Sequence, residues 1–283
     1  MTSANADQAE FWTHSAGQKW VEQQEMLDTF MQPVLDGVFA RADLWPGACI
    51  LDIGCGTGAS TLQAAEMIGD TGSVFGADIS PTMLAHAEKR AAGVSNVVFE
   101  VADAAEHGFQ PASFDHLISR FGVMFFADPV LAFSNLIKGL KPGGPVTFAA
   151  WGQIPNNPWF TTAAQAAKAR LGAPPAVDPD APGPFAFRDV DRVTQILSEA
   201  GFDEIKAEVA SLHLTPPGTP AEVARMATSV GPAARTIDYF QGNATDSAAI
   251  ADHVQAAFAA YETADGLRVP AEINYFQARR PAA

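Results

Sequence analysis

The eight residues Leu51-Asp-Ile-Gly-Cys-Gly-Thr-Gly58 restrict this chain more than any other stretch. They end a short apolar run, Ala48 to Ile53, and lead into an alanine-containing segment of helical pattern, Ala59 to Ile68. A strand that passes through closely spaced glycines into a helix makes a tight turn whose backbone a ligand can approach, and the helix behind it offers unpaired N–H groups. In an open parallel sheet such a loop lies at the strand ends where the strand order reverses, which is where ligands bind.

The residues that follow repeat the alternation. Ser73 to Asp78, Val97 to Val101, Phe114 to Ser119 and Pro145 to Trp151 read as strands. Helices are expected over Pro81 to Ala92, with Ser80 as N-cap and Pro81 in the first turn, and over Val130 to Lys138. Lys141-Pro-Gly-Gly144 is a turn. Short joins between alternating strands and helices imply a parallel sheet covered on both faces.

At the start, Trp20, Met26, Leu27, Phe30, Val34, Leu35 and Val38 recur at helical spacing within Glu10 to Arg41, and Pro33 is expected to break or kink that helix. Past Trp151 prolines crowd the chain around one short helix near Phe160 to Arg170. Asp189 to Ala200 then reads as a helix closed by Gly201, and Asp203 to Leu214 and Ala271 to Ala278 complete seven strands. Ala221 to Ala264 is mostly helical in pattern. The expected fold is α/β: a doubly wound, mostly parallel seven-stranded sheet with helices on both faces. The expected units are an N-terminal helical lid (1–45), a ligand-binding core (46–153), a loop-rich insertion (154–188), a core helix and strand (189–215), a helical cap near the C-terminal strands (216–268), and the last strand with its tail (269–283).

Charge narrows the class of partner. Thirty-two acids against 17 bases give a net charge of −15, and the bases form no run. Phosphate contacts supply most non-specific nucleic-acid affinity, so DNA, RNA and anionic membranes are disfavoured. No apolar run reaches the roughly 18 residues of a membrane span. Met1 to Glu10 is polar and acidic, unlike a secretory leader. Cys49 and Cys55 fall in a strand and in the glycine loop, suggesting neither a disulfide framework nor a metal cluster, so a cytoplasmic, metal-free protein is expected.

The glycine loop alone is ambiguous. Gly54, Gly56 and Ala59 also satisfy a dinucleotide fingerprint, and Asp78 stands near the distance expected for a ribose carboxylate. Three features separate the readings. Asp52 precedes the glycines, where a carboxylate opposes a pyrophosphate and suits an ammonium group. A second acid, Asp103, follows the third strand, and Leu140-Lys-Pro-Gly-Gly144 precedes the fifth.

Together these resemble the class I S-adenosylmethionine-dependent methyltransferases, with their Rossmann-like core, and specifically the ubiquinone/menaquinone-biosynthesis-like small-molecule group. Phe11-Trp-x-x-x-Ala-Gly-x-x-Trp20 and Ser119-Arg-Phe-Gly-Val-Met-Phe-Phe-Ala-Asp-Pro129 look like one bacterial branch of it. The resemblance implies that S-adenosylmethionine is the cofactor and S-adenosylhomocysteine its product. It implies that Gly54 and Gly56, with Gly58 in the same loop, line the methionine part, and that Asp52 helps hold the loop and the amino group. Asp78 would take the ribose hydroxyls, Ile79 and Met83 would flank the adenine, and Asp103 with Ala104 would bind its edge. Ser119 and Arg120 would face cofactor and substrate, and Trp20 would fold over the site.

Methyl transfer relies on holding nucleophile, methyl and sulfur in line, and a weakly acidic hydroxyl also needs a base. His14, beside the lid motif, is the first candidate, with Arg120 a second catalytic candidate and His213 and His253 next; His86, His107 and His116 read as structural. The rivals are an S-adenosylmethionine-binding enzyme of another reaction and a nicotinamide-dependent oxidoreductase. Phenylalanines with Trp159 and Tyr239 in the insertion and cap favour a small apolar or aromatic acceptor for O-, N- or C-methylation, and the oligomeric state is left open, a homodimer included.

Overall fold

The computed structural model describes residues 5–282, so the polar opening of the chain lies partly outside the described residues. Seven strands form one sheet: β1 (Cys49–Ile53), β2 (Ser73–Asp78), β3 (Val97–Val101), β4 (His116–Arg120), β5 (Pro145–Trp151), β6 (Asp203–Leu214) and β7 (Val269–Arg279). Their spatial order is β3-β2-β1-β4-β5-β7-β6. The first five run parallel, and β7 is antiparallel to both β5 and β6. This is a Rossmann-like, doubly wound α/β fold. The order reverses between β1 and β4, so the loops after these two strands face one crevice.

The central strands read as apolar runs because both faces are covered. Ile50, Leu51, Leu117, Ile118, Val146 and Phe148 are fully buried. Helices α4 (Ala59–Ile68), α5 (Pro81–Arg90), α6 (Pro129–Gly139) and α8 (Val190–Glu199) supply the covering layers. Their starts follow local chemistry: Ser80, Asp128 and Asp189 accept N–H bonds from the first turns of α5, α6 and α8. No helix lies between β3 and β4.

The N-terminal region corrects one expectation. It forms three helices, α1 (Ala6–Thr13), α2 (Ser15–Glu22) and α3 (Gln24–Ala42), interrupted at His14 and Gln23 and not at Pro33, which lies inside α3. A proline removes the N–H that would bond the carbonyl four residues back. Here that carbonyl, Thr29 O, accepts from Thr215 Oγ1 at 3.1 Å, so a residue beyond β6 replaces the missing donor. Helix α7 (Pro158–Leu171) of the insertion packs against α10 (Pro232–Tyr239) and α11 (Ala244–Phe258), and α9 (Pro220–Ser229) packs against α11. Phe30 of α3 meets Trp159 of α7 at 4.2 Å between ring centres, and Trp159 meets Phe258 of α11 at 6.0 Å. Among the described residues no helix is long and apolar enough to cross a membrane.

Candidate active site

Asp52, the fourth residue of β1, is completely buried. Ser60 and Thr61 hydroxyls, from the first turn of α4, both donate to its Oδ2 at 2.6 Å. Its Oδ1 is buried without a hydrogen-bond partner. Burial pushes the Asp52 pKa up to about 6, against the two hydroxyls and Arg120, which favour the charged form. A buried carboxylate with one open oxygen is a place for a cation.

Asp78 ends β2. Gly56 N–H donates to its Oδ2 and Ser80 N–H to its Oδ1, each at 2.8 Å. Burial raises this carboxyl to about 6 as well, opposed by those N–H bonds. Each oxygen keeps lone-pair capacity for a hydroxyl donor. The glycine loop is thus tied to Asp78 through Gly56, and Asp52 is tied to the helix that follows the loop through Ser60 and Thr61.

The loop after β4 packs against the glycine loop, Gly122 against Gly54, a contact that no local sequence pattern announces. A Cβ on Gly54 would fall 2.5 Å from Gly122 Cα, and one on Gly122 would fall 2.6 Å from both Gly54 Cα and Ile53 O. Gly54 also has φ +67°, so it is glycine for two reasons. Ser119 Oγ donates to Ile53 O at 2.7 Å and accepts from Gly122 N–H at 3.2 Å. Ser119 therefore latches the two loops together and spends its hydroxyl on backbone. Phe121, between them, has φ +64°, an uncommon conformation for a bulky residue, and stacks on Trp151 at 4.4 Å.

Arg120 is mostly buried, with 10% of its side chain exposed, and burial pulls its pKa below the ordinary value, opposed by Asp28 and Asp52. Its Nη2 lies 3.7 Å from Asp28 Oδ1, while its Nη1 is buried with no hydrogen-bond partner. Asp28 on α3 also pairs with Arg90 at 2.9 Å, and Arg90 Nη1 donates to Thr57 O in the glycine loop at 2.7 Å. Asp28 carries no sequence signal of this role, because the pairing joins α3, α5 and β4.

The remaining expected residues cluster around this crevice. Met83 is buried and Ile79 half-buried beside Asp78. Asp103 follows β3 and accepts from the Asn5 side chain at 2.7 Å, while the Ala104 carbonyl accepts from Asn135. Gly56 and Gly58 adopt the same left-handed backbone as Gly54. Above the crevice, Trp12 packs edge-on to Trp20 at 5.8 Å and to Phe125 at 5.1 Å. Ser80 Oγ and Thr82 Oγ1 donate to the carbonyls of Trp12 and Thr13. A Cβ on Gly17 would lie 1.8 Å from Trp12 O, so the fold-back of α2 on α1 needs glycine there.

The histidine candidates are not brought in. His14 is exposed at the joint between α1 and α2, and His213 and His253 are exposed on β6 and α11. His116 is buried with Nε2 3.0 Å from Thr147 Oγ1, and burial lowers its pKa to about 3. Among the described residues no group of three or more His, Cys, Asp or Glu could hold a metal ion. Cys49 and Cys55 are free thiols.

Residues 50–144 match the family described as a methyltransferase domain. The chain is 40% identical over 106 residues to aklanonic acid methyltransferase DauC of Streptomyces sp., covering 37% of this chain and 48% of that protein. It is 37% identical over 100 residues to demethylmenaquinone methyltransferase of Staphylococcus aureus, covering 35% of this chain and 42% of that one. The matches thus span less than half of either relative. In overall shape the chain resembles Haemonchus contortus phosphoethanolamine N-methyltransferase 2, solved with phosphomonomethylethanolamine and S-adenosylhomocysteine, with TM-score 0.60 and 20% identity over 99% of this chain and 61% of that one.

Proposed function

We propose that this chain, whose residues 50–144 match the methyltransferase-domain family, is an S-adenosylmethionine-dependent methyltransferase of a small molecule. The observation that carries the reading is the pair of buried carboxylates at adjacent strand ends, Asp52 and Asp78, on either side of the glycine loop. A pyrophosphate would meet Asp52 as a like charge, whereas the α-ammonium group of S-adenosylmethionine would complete its open Oδ1. The donor set therefore fits this cofactor and argues against a dinucleotide. Asp78 would hold the ribose, Ile79 and Met83 would flank the base, Asp103 and Ala104 would meet its edge, and Arg120 would face the methionine carboxylate.

When bound, the cofactor supplies a methyl group on a positively charged sulfur. The chain's part is to hold and to dry. Asp52 and Arg120 orient the amino-acid tail, the Gly54–Gly122 contact fixes the loops around it, and Trp12, Trp20 and Phe125 exclude water above. Alignment of this kind contributes up to roughly 7–11 kcal/mol. The aromatic run Phe121, Trp151, Phe160 and Phe185, at successive centroid distances of 4.4, 4.8 and 4.9 Å, supports an apolar or aromatic acceptor. In this reading the N-terminal helices are a lid, the insertion and the cap are the acceptor wall, and the protein works in the cytoplasm without nucleic acid. A base at His14 would require the lid to turn its exposed ring inward.

Calorimetric titration with S-adenosylmethionine, S-adenosylhomocysteine and NADH tests the reading. Micromolar binding of the sulfur nucleosides only, lost in Asp78→Ala, is expected. Binding of NADH, or of none of the three, would overturn it.

A further inference from the structure

Asn5 stands at the N-cap of α1, where an asparagine side chain ordinarily accepts from the helix's first free N–H groups. It makes no such bond. Its side chain turns inward instead, and the residue is 3% exposed. The amide nitrogen donates to Asp103 Oδ1 at 2.7 Å, and the amide oxygen accepts from Ala127 N–H at 2.8 Å. Ala105 N–H donates to the same Asp103 oxygen at 3.0 Å, which fixes the carboxylate.

A carboxamide carries a donor nitrogen and an acceptor oxygen on one planar carbon. Adenine's pairing edge offers the same pattern: an amino donor on a ring carbon, with an acceptor ring nitrogen bonded to that carbon. We infer that the Asp103 carboxylate and the Ala127 N–H together form a reader for the adenine edge, held by the Asn5 carboxamide until a nucleoside displaces it. The inference rests on the nucleoside-binding reading above. To the Asp103 and Ala104 edge named there it adds a backbone donor from the loop between β4 and α6, and a competitor built into the chain.

The neighbourhood suits such an exchange. Helix α1 is held at its far end by hydrogen bonds to Trp12 O and Thr13 O, at 2.7 and 2.6 Å. The helical path breaks at His14, with φ −101° and ψ −118°, so the Asn5 end of α1 is continuous with no other helix. A ligand that needs the open form binds with its intrinsic affinity reduced by the fraction of protein that is open.

The test is calorimetric titration of the full chain with adenosine, inosine and S-adenosylhomocysteine, with hydrogen exchange followed over residues 6–13. Removing the part-buried bonds to Asp103 and Ala127 from the closed form should make Asn5→Ala bind adenosine and S-adenosylhomocysteine about five- to fiftyfold more tightly than the parent. Asn5→Asp, which sets a carboxylate against Asp103, should move affinity the same way. Inosine presents an acceptor and a donor in the opposite order, and should bind at least about tenfold more weakly than adenosine. Adenosine should speed exchange in α1 of the parent. Unchanged or weakened adenosine binding in both variants, or equal affinity for adenosine and inosine, overturns the inference. Adenosine binding with the expected pattern but no binding of S-adenosylhomocysteine would instead sink the methyltransferase reading and keep the reader. No nucleoside bound by any of the three proteins would end both.

Discussion

Asp52 shows at the level of one residue how a binding site is maintained against stability. Its pKa of about 6 in the folded chain lies above the 3.8 of an ordinary aspartate. The stability it lends is therefore present below pH 3.8 and is lost as the pH rises through 6. Asp78, also raised to about 6, behaves the same way. At pH 7 each charged carboxylate costs the ligand-free protein up to about 3 kcal/mol, an order-of-magnitude figure from 1.36 kcal/mol per pKa unit. Asp52→Asn should accordingly raise the thermal midpoint at pH 7 and leave it nearly unchanged at pH 4, while weakening S-adenosylmethionine binding at least tenfold. Melting curves at the two pH values, with a titration at pH 7, check this. Affinity in the parent should also rise between pH 5 and 7, as both carboxylates lose their protons. Gly122→Ala is a steric change, because its φ is not left-handed. With Gly54 Cα and Ile53 O 2.6 Å from the new atom, it should cost about 1–3 kcal/mol or more, measured by denaturant unfolding, and should abolish nucleoside binding. Gly108→Ala, in open space, is the control.

At the level of elements, the replacement of a helix bond in α3 makes a double-mutant prediction. Thr215→Val should cost about 1 kcal/mol in the parent and clearly less in a Pro33→Ala background, where residue 33 again donates to Thr29 O. Equal costs in both backgrounds would show that Thr215 acts elsewhere. The same helix explains what could be read from the sequence. Strands β2, β3, β5 and β6 were legible to their ends because turn residues bound apolar or alternating runs, and Ser80 announced α5. The glycine loop, Asp52, Asp78 and Asp103 were legible because their chemistry is packed into short segments. Pro33 misled because its compensation comes from 182 residues further along the chain, at Thr215. Asp28 and Asn5 were invisible for the same reason, since each acts through a contact with a distant element; Gly122 stands in the Ser119–Pro129 motif, but its contact with Gly54 does not show there.

At the scale of the whole molecule, the N-terminal helices, the helix after β5 and the helices before β7 are less separate than their sequence texture suggests. Phe30, Trp159 and Phe258 are all buried and pack in sequence across α3, α7 and α11. Trp159→Ala should cost about 3–5 kcal/mol, and α3 and α11 should loosen together, seen as a common rise in their hydrogen exchange with little change in β1–β4. His116 sets a limit in acid: its folded-state pKa of about 3 lies below the ordinary 6.5, so its contribution to stability falls as the pH drops from 6.5 toward 3. The shared aromatic core also bears on how chains of this kind can trade parts. A helical cap transplanted from a relative would arrive without its matching partner on α3, and would leave Trp159 facing a stranger. Recombination that succeeds should exchange α3, α7 and α11 together, as three separate stretches of the chain, and keep the strands that lie between them.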